Sequence, residues 1–335
     1  MGKKKYIELS DFDKENIKYY YGIPHCHTDF STGKGTPIEI YESAYKSGLD
    51  FIFITDHNSY LSSELTLKDR KYSKFKALKV YSNKIRKKYE DFLPLIGFEA
   101  KTNLYGDLNI INTNTFFTGV VKDFKVLTLW MLNNPNSFIS INHPHKNILE
   151  LKYNPILNKI ITSIEVGNGT ENRYTRHDKY YFNLLDAGWQ LGAINGQDNH
   201  KINFLENENL TVCICNSLST NNIISAFRER RTYSTESKHL KLYFTINDAF
   251  MGEEVDLQEK SKLKFMIFAE DVKYKINSIS ILSNNGKVIK NIDSIGLNSI
   301  KYLYEHKKEA NECWYVIKVI QDNNKIAFSS PIFIN

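Results

Sequence analysis

Tyr21-Gly-Ile-Pro-His25-Cys-His27-Thr28 reads as a short extended run ending in two histidines one residue apart. In a strand, residues i and i+2 face the same side, so His25 and His27 can offer two imidazoles to one metal ion without a special turn. Cys26 then points the other way and reads as a packing residue, not a nucleophile. Two histidines alone are weak, because a surface strand with two exposed rings would look the same. The pattern recurs, however, after four more short apolar runs. Asp56-His57 follows Phe51-Ile-Phe-Ile, Glu99 follows Leu95-Ile-Gly-Phe, His143 follows Phe138-Ile-Ser-Ile, and Asp198 with His200 follows Leu191-Gly-Ala-Ile.

Outward from the histidine pair, Thr36-Pro37-Ile38-Glu39 marks a helix start: Thr36 caps, Pro37 suits the first turn, and Glu39 completes a capping box. Ile40, Tyr41, Ala44 and Tyr45 share one face, and Gly48 ends the helix. Leu49 to Thr55 is too continuously apolar for a strand with a wet face, so it reads as a parallel strand covered on both sides. Strand, helix, strand with ligands at the strand ends is β/α design, in which chemistry gathers at the carboxyl ends of the strands. Further strands are expected near 93–99, 108–113, 137–142, 162–166 and 190–195, with helices near 124–133 and 174–187.

Residues 61–91 are Lys-rich and read as an outer helix with a solvated cationic face; base-stacking motifs are absent. From about residue 239 the texture changes to closely spaced strands separated by turns such as Asn284-Asn285-Gly286, which predicts an all-β sandwich-like unit. The expected division is residues 1–238 and 239–335. His239 and His306 stand far apart in the second part, so catalysis is expected upstream.

A chain of 335 residues with net charge +6 and 24% charged residues is an ordinary globular composition, and so mild a basic balance predicts no nucleic-acid partner. Four irregularly spaced cysteines suit a reducing compartment. Met1-Gly-Lys-Lys-Lys runs into Ile7-Glu-Leu-Ser-Asp, which interrupts any leader-like apolar stretch, and no run of 18 apolar residues occurs. A soluble, cytoplasmic protein without a membrane partner is expected. Lys34 in Gly33-Lys34-Gly35-Thr36 faintly suggests a nucleotide-binding loop, but Thr28 stands where its first glycine is required.

Taken together, His25-x-His27, Thr55-Asp56-His57-Asn58, Gly97-Phe98-Glu99, Asn142-His143-Pro144 and Gly196-Gln197-Asp198-Asn199-His200 resemble the ordered motifs of the PHP (polymerase and histidinol phosphatase) superfamily. Ile164-Glu165-Val-Gly-Asn168, then Ala226-Phe-Arg-Glu-Arg-Arg-Thr232, then a tail ending Ser329-Ser-Pro-Ile-Phe, is similar to its CehA/McbA-like branch. The resemblance implies an α/β fold, a distorted seven-stranded β/α barrel with a C-terminal β-domain, and two or three divalent ions (Zn, Mn or Fe). By position, His25, His27, Glu99 and Asp198 would hold one ion. Glu99 would bridge to a second held by His143, and His57 with His200 would serve a third. A carboxylate can bridge two cations, whereas a neutral imidazole gives one nitrogen to one ion. Asp56 is placed behind the ligands, orienting a histidine.

Two departures from the family pattern stand out. Where relatives carry another ligand after the first motif, this chain has Ser31-Thr32-Gly33, which weakens the third ion. After Glu99, Gly106-Asp107 replaces a Gly-His pair, and Asp107 is counted as an oxygen ligand. His145, Lys146, Arg173, Arg176 and His177 are candidates to anchor an anionic group, and Glu165 to support a ligand.

The expected activity is that of a metal-dependent hydrolase, a phosphoesterase using metal-bound hydroxide at a di- or trinuclear site and acting on a small phosphorylated molecule. His25, His27, Glu99, Asp198 and His200 are the expected catalytic set. The rivals are hydrolysis of an ester, amide or carbamate, and a non-catalytic metal-bearing binding module.

Overall fold

The computed structural model describes residues 12–256 and 262–334. The basic start Met1–Lys5, read above as no leader, lies outside the described residues. The first strand, β1, spans Lys18–Cys26 and is followed by helix α1 at Pro37–Lys46. Thr36 accepts from the Glu39 N–H at 3.3 Å while Glu39 Oε2 accepts from the Thr36 N–H at 2.7 Å, so the capping box forms as read. Next come β2 (Phe51–Ile54), α2 (Lys74–Lys88), β3 (Leu93–Lys101), β4 (Asp107–Ile111), α3 (Phe124–Leu132) and β5 (Phe138–Ile141). β6 (Ile161–Asn168), α4 (Asp178–Asp186), β7 (Gly192–Gly196), β8 (Leu210–Cys215), α5 (Thr220–Arg228) and β9 (Thr232–Thr235) complete this part.

One ladder runs β7-β6-β5-β4-β3-β2-β1-β8-β9. β1, β2 and β3 are mutually parallel, as are β5, β6 and β7. β4 is antiparallel to both neighbours, so it leaves all six of these strands pointing the same way. Gly22 lets β1 approach β2 closely, since a Cβ there would lie 2.3 Å from the Phe51 carbonyl oxygen. The apolar runs are buried on both faces as expected: Phe51, Ile52, Phe53 and Ile54 are all fully inaccessible.

Among the described residues no hydrogen-bonded ladder runs from β7 back to β1; just past β7, Asn199 bridges to Cys26 at the end of β1. Two expectations are corrected. The segment 61–91 is not all helix, because Glu64–Leu67 and Arg70–Ser73 pair as a hairpin before α2 begins. The helix expected from 174 starts at Asp178, since Thr175–Arg176 first pairs with the end of β6.

The C-terminal part contributes β10 (Lys241–Ile246), β11 (Lys262–Glu270), β12 (Ile276–Ser283), β13 (Lys287–Ile292), β14 (Ser299–Lys307), β15 (Trp314–Gln321), β16 (Ile326–Ser329) and β17 (Ile332–Ile334). β10, β11 and β14 form one sheet. The alternation along β11 buries Leu263, Phe265, Ile267 and Ala269 against Ile279, Ile281, Ile317 and Val319 of the facing sheet. That facing sheet continues the main ladder: β9 pairs with β16, and β15, β12 and β13 follow.

Candidate metal centre

The common direction of the strands brings the ligand-type residues to one rim. His25 ends β1, His57 lies just beyond β2, Glu99 sits near the end of β3, His143 follows β5 and Asp198 follows β7. Asp107 opens β4, and because β4 runs opposite to its neighbours its amino end lies on that same rim, paired with Lys101. The rule that chemistry sits at carboxyl ends holds, and the reversed strand supplies its ligand from the other end.

Glu99 is the hub. Its Oε1 lies 3.2 Å from His143 Nε2 and 3.4 Å from His25 Nε2, and its Oε2 lies 2.9 Å from His57 Nδ1 and 3.5 Å from His27 Nε2. Asp198 Oδ1 lies 2.9 Å from His27 Nε2 and 3.3 Å from His25 Nε2. The two Nε2 atoms of His25 and His27 face each other at 3.2 Å, as the i, i+2 reading requires. Among the described residues, four sets have donor atoms all within 4.8 Å of one another: His25, His27 and Glu99; His25, His143 and Asp198; Glu99, Asp107 and His143; and His27, His57 and His200. Buried nitrogens facing nitrogens, with anionic oxygens filling the remaining directions, form a donor set suited to cations of mixed imidazole and carboxylate preference. The residues present therefore fit the metals that the motifs imply.

The electrostatics agree. Burial alone would push the His25 imidazole down, but Glu165, Glu99 and Asp198 outweigh it and hold it well above its ordinary value. Burial lowers His27, its partner, so the two rings of the pair are pushed in opposite directions. His143, pushed down by burial, is carried up to about 9 by its bond to Glu99 and the charge of Glu165. The hydrogen bond to Glu99 also raises His57. Burial would raise Glu99 and Asp198, yet the histidines hold Glu99 far below the carboxylate range and bring Asp198 down to about 2. Burial and the charge of Glu99 raise Asp107.

A second layer fixes these groups. Glu165 Oε1 takes His25 Nδ1 at 2.8 Å, while its Oε2 accepts from the His143 backbone N–H and from Asn168 Nδ2, both at 2.6 Å. Gly196 leaves room for it, because a Cβ there would stand 1.8 Å from Glu165 Oε1. Asn142 Nδ2 donates to Glu99 Oε1 at 2.9 Å. His143 (φ 25) and Asp198 (φ 47) both occupy the left-handed region, a cost tolerated where surrounding bonds hold the backbone.

Asp56 lies behind the ligand-type residues and reaches His27 through the loop at Ser31. It accepts from the Thr28 N–H at 2.8 Å, Thr28 Oγ1 at 2.6 Å and Ser31 Oγ at 2.5 Å, and Ser31 Oγ in turn lies 3.4 Å from His27 Nδ1. Its role is to hold the loop that carries His27. At the Thr32 departure, Thr32 Oγ1 lies 3.0 Å from His200 Nε2.

Two clefts open onto the rim. A polar one of about 650 Å³ is lined by Asn168, Arg173, Gln197, Asp198, His200 and Lys201, among others. The other, about 340 Å³, is lined by Thr32, His57, Tyr60, Glu99, Lys101 and Val120 with their neighbours. Of the expected anion anchors, only Arg173 lines a cleft at the metal rim. Arg176 pairs with Glu236 at 3.7 Å; Lys146 lies exposed in a short turn, and exposed His145 caps that turn by accepting from the Asn147 N–H. His177 is half-buried, and burial lowers its imidazole. Asn142, Asn168, Ser31 and Lys101 were not singled out from sequence; the two asparagines stand inside quoted motifs, and that was their only signal.

The family model described as "PHP domain" matches residues 24–245. The chain belongs to the PHP domain family. Over 143 residues this PHP protein is 30% identical to an uncharacterized protein of Chlamydia muridarum and 29% identical to one of Chlamydia trachomatis. The matched stretch is 38% of this chain but only 22% of each relative, so the chain spans about a fifth of their length. Among solved structures, a two-domain protein from Bacteroides vulgatus, described as containing a predicted PHP-like metal-dependent phosphoesterase, superposes with TM-score 0.54. It is 17% identical, with 100% of this chain and 99% of that chain covered, so the PHP part and the β-rich C-terminal part share its fold. PHP membership and the clustered His, Asp and Glu donors point to the same rim as a metal site.

Proposed function

We propose that this PHP protein hydrolyses phosphoesters with the help of two or three divalent ions. The observation that carries the reading is Glu99, a buried carboxylate whose two oxygens gather imidazoles from β1, β2 and β5. A shared cationic centre gives every one of those donors a purpose. His25, His27, Glu99 and Asp198 would hold one ion, Glu99, Asp107 and His143 a second, and His57 with His200 a third. Zinc, manganese or iron suits this mixture of nitrogen and oxygen donors. Such ions, when bound, supply an acidified water at neutral pH and charge neutralisation for the transferring group.

The protein's own groups have separate tasks. Glu165 takes the Nδ1 side of His25 and so directs Nε2 toward the centre. Arg173, in the polar cleft beside Asp198 and His200, is placed to orient an anionic substrate oxygen. We place the chain in the CehA/McbA-like branch, supported by the β-rich extension after the PHP part, and read its curled ladder as a distorted seven-stranded barrel. We also propose residues 239–335 as the second unit, a small phosphorylated molecule as substrate, and the cytoplasm as the place of action.

The test is elemental analysis of protein purified without added metal, followed by comparison of p-nitrophenyl phosphate with p-nitrophenyl acetate. Bound transition metal and turnover of the phosphate support the reading. Turnover of the acetate alone would move it to carbonyl hydrolysis, and metal without any turnover would leave a binding module.

A further inference from the structure

The smaller cleft at the metal rim does not end at the ligands. Val120, which lines it together with His57, Glu99 and Lys101, also lines a neighbouring pocket of about 300 Å³. That pocket is walled by Phe117, Val121, Val126, Leu127 and Trp130. Its floor is an aromatic cluster in which Phe117 lies 5.2 Å from Trp130 and 5.2 Å from Phe98, ring centre to ring centre. Thr118, Lys122 and Asp123 also line it, and beside them two valines stand in water: Val120 is 45% exposed and Val126 64% exposed. The loop between cleft and pocket is held in place, since Asn58 Nδ2 donates to the Gly119 carbonyl at 2.8 Å and the Val121 N–H donates to the Lys101 carbonyl at 2.7 Å. Exposed valines above a fixed aromatic floor cost free energy in water unless something apolar covers them.

We infer that this pocket receives an apolar group of the substrate, so that the preferred substrate is a phosphoester of an aliphatic or aromatic alcohol. Its anionic end would lie at the metal rim and its hydrocarbon part across Val120 over Trp130. The two cavities adjoin at Val120, which lines both, so a group bound at the rim and extending past Val120 meets this pocket, and that favours a substrate group over a separate partner. The inference rests on the hydrolase reading above and goes beyond it in naming the chemistry of the leaving alcohol.

The test compares methyl phosphate with n-hexyl phosphate, whose leaving alcohols have nearly the same basicity, in the wild type and in Val126→Asp. Val126 is exposed, so Val126→Asp places no charge in the core, and the comparison is read as the ratio of the two esters within each protein. A wild-type kcat/KM ratio favouring hexyl by about tenfold or more, collapsing in the variant, supports the inference. Trp130 supplies a readout independent of turnover, because n-hexylphosphonate, which is not hydrolysed, should alter tryptophan emission in the wild type and fail to do so in Val126→Asp. Equal turnover of both esters with no emission change overturns the pocket assignment and leaves the hydrolase standing. An emission change lost in the variant, without turnover of either ester, supports the pocket while the phosphoesterase reading fails. Sedimentation of both proteins completes the test: a dimer that becomes monomeric on Val126→Asp assigns the pocket to a second copy of the chain and overturns the inference.

Discussion

Glu165 Oε1 stands 2.8 Å from His25 Nδ1, and both side chains are wholly withdrawn from water. With Nδ1 engaged, the ring can present only Nε2 to the rim, and the same carboxylate also fixes the His143 backbone. Removing its charge while keeping its shape should therefore loosen two ligands at once. Glu165→Gln is expected to fold, by circular dichroism, but to bind Mn(II) or Zn(II) about 10- to 100-fold more weakly in a competition titration. Unchanged affinity would show that His25 needs no such partner.

Glu99 is the other side chain on which several ligands depend. Glu99→Gln leaves His25, His57 and His143 without their shared anion. The expected result is near-complete loss of bound metal by elemental analysis and a fall in phosphoester hydrolysis of about a hundredfold or more.

The histidines also set a pH dependence. In the metal-free protein His143 keeps its proton up to about 9, above its ordinary 6.5, so the stability it contributes is fully present below 6.5 and lost as pH rises through 9. Asp198, brought down from an ordinary 3.8 to about 2, contributes stability that is present above 3.8 and lost as pH falls through 2. Chelator-treated protein should accordingly be less resistant to urea at pH 9.5 than at pH 7. Metal must displace the His143 proton, so binding at pH 7.5 should release protons, seen as a dependence of calorimetric heat on buffer ionisation enthalpy. Activity is expected to fall below about pH 6.5, the ordinary imidazole value, as protons compete with metal for the histidines.

Two arginines three residues apart give a contrast. Arg173 lines the cleft beside Asp198 and His200, whereas Arg176 is turned to Glu236. Arg173→Ala should raise KM for p-nitrophenyl phosphate by about tenfold with a smaller change in kcat, the loss of one charge-assisted hydrogen bond, and Arg176→Ala should leave KM unchanged. Equal effects of both would remove Arg173 from substrate binding.

The ligand rim was legible because its chemistry is written in rare residue types placed after apolar runs; histidine pairs and buried carboxylates have few other uses there. The asparagines behind it were not, since Asn142 and Asn168 look like ordinary loop residues until Glu99 and Glu165 are seen to need their donors. The partners of Asp56 were not legible, because a side chain's reach across a loop to Thr28 and Ser31 has no periodicity to betray it. The hairpin before α2 was hidden for a physical reason as well. Its turn uses Lys68 (φ 48) and Asp69 (φ 62), left-handed positions filled without the glycine that normally announces them. The open seam between β7 and β1 depends on how far the ladder curls, which no local pattern records.

The pairing of Ser234 with Phe328, which carries the ladder from β9 into β16, has a consequence for how the molecule comes apart. Proteolysis at the 238–239 junction would not release two intact bodies. Pulling the two parts apart after such a cut would bare a row of backbone donors on β9 and strip the cover from Val212, Ile214 and Tyr233, an adhesive edge ready to recruit other chains. Melting of the PHP part and of its β-rich extension should therefore be a single cooperative event.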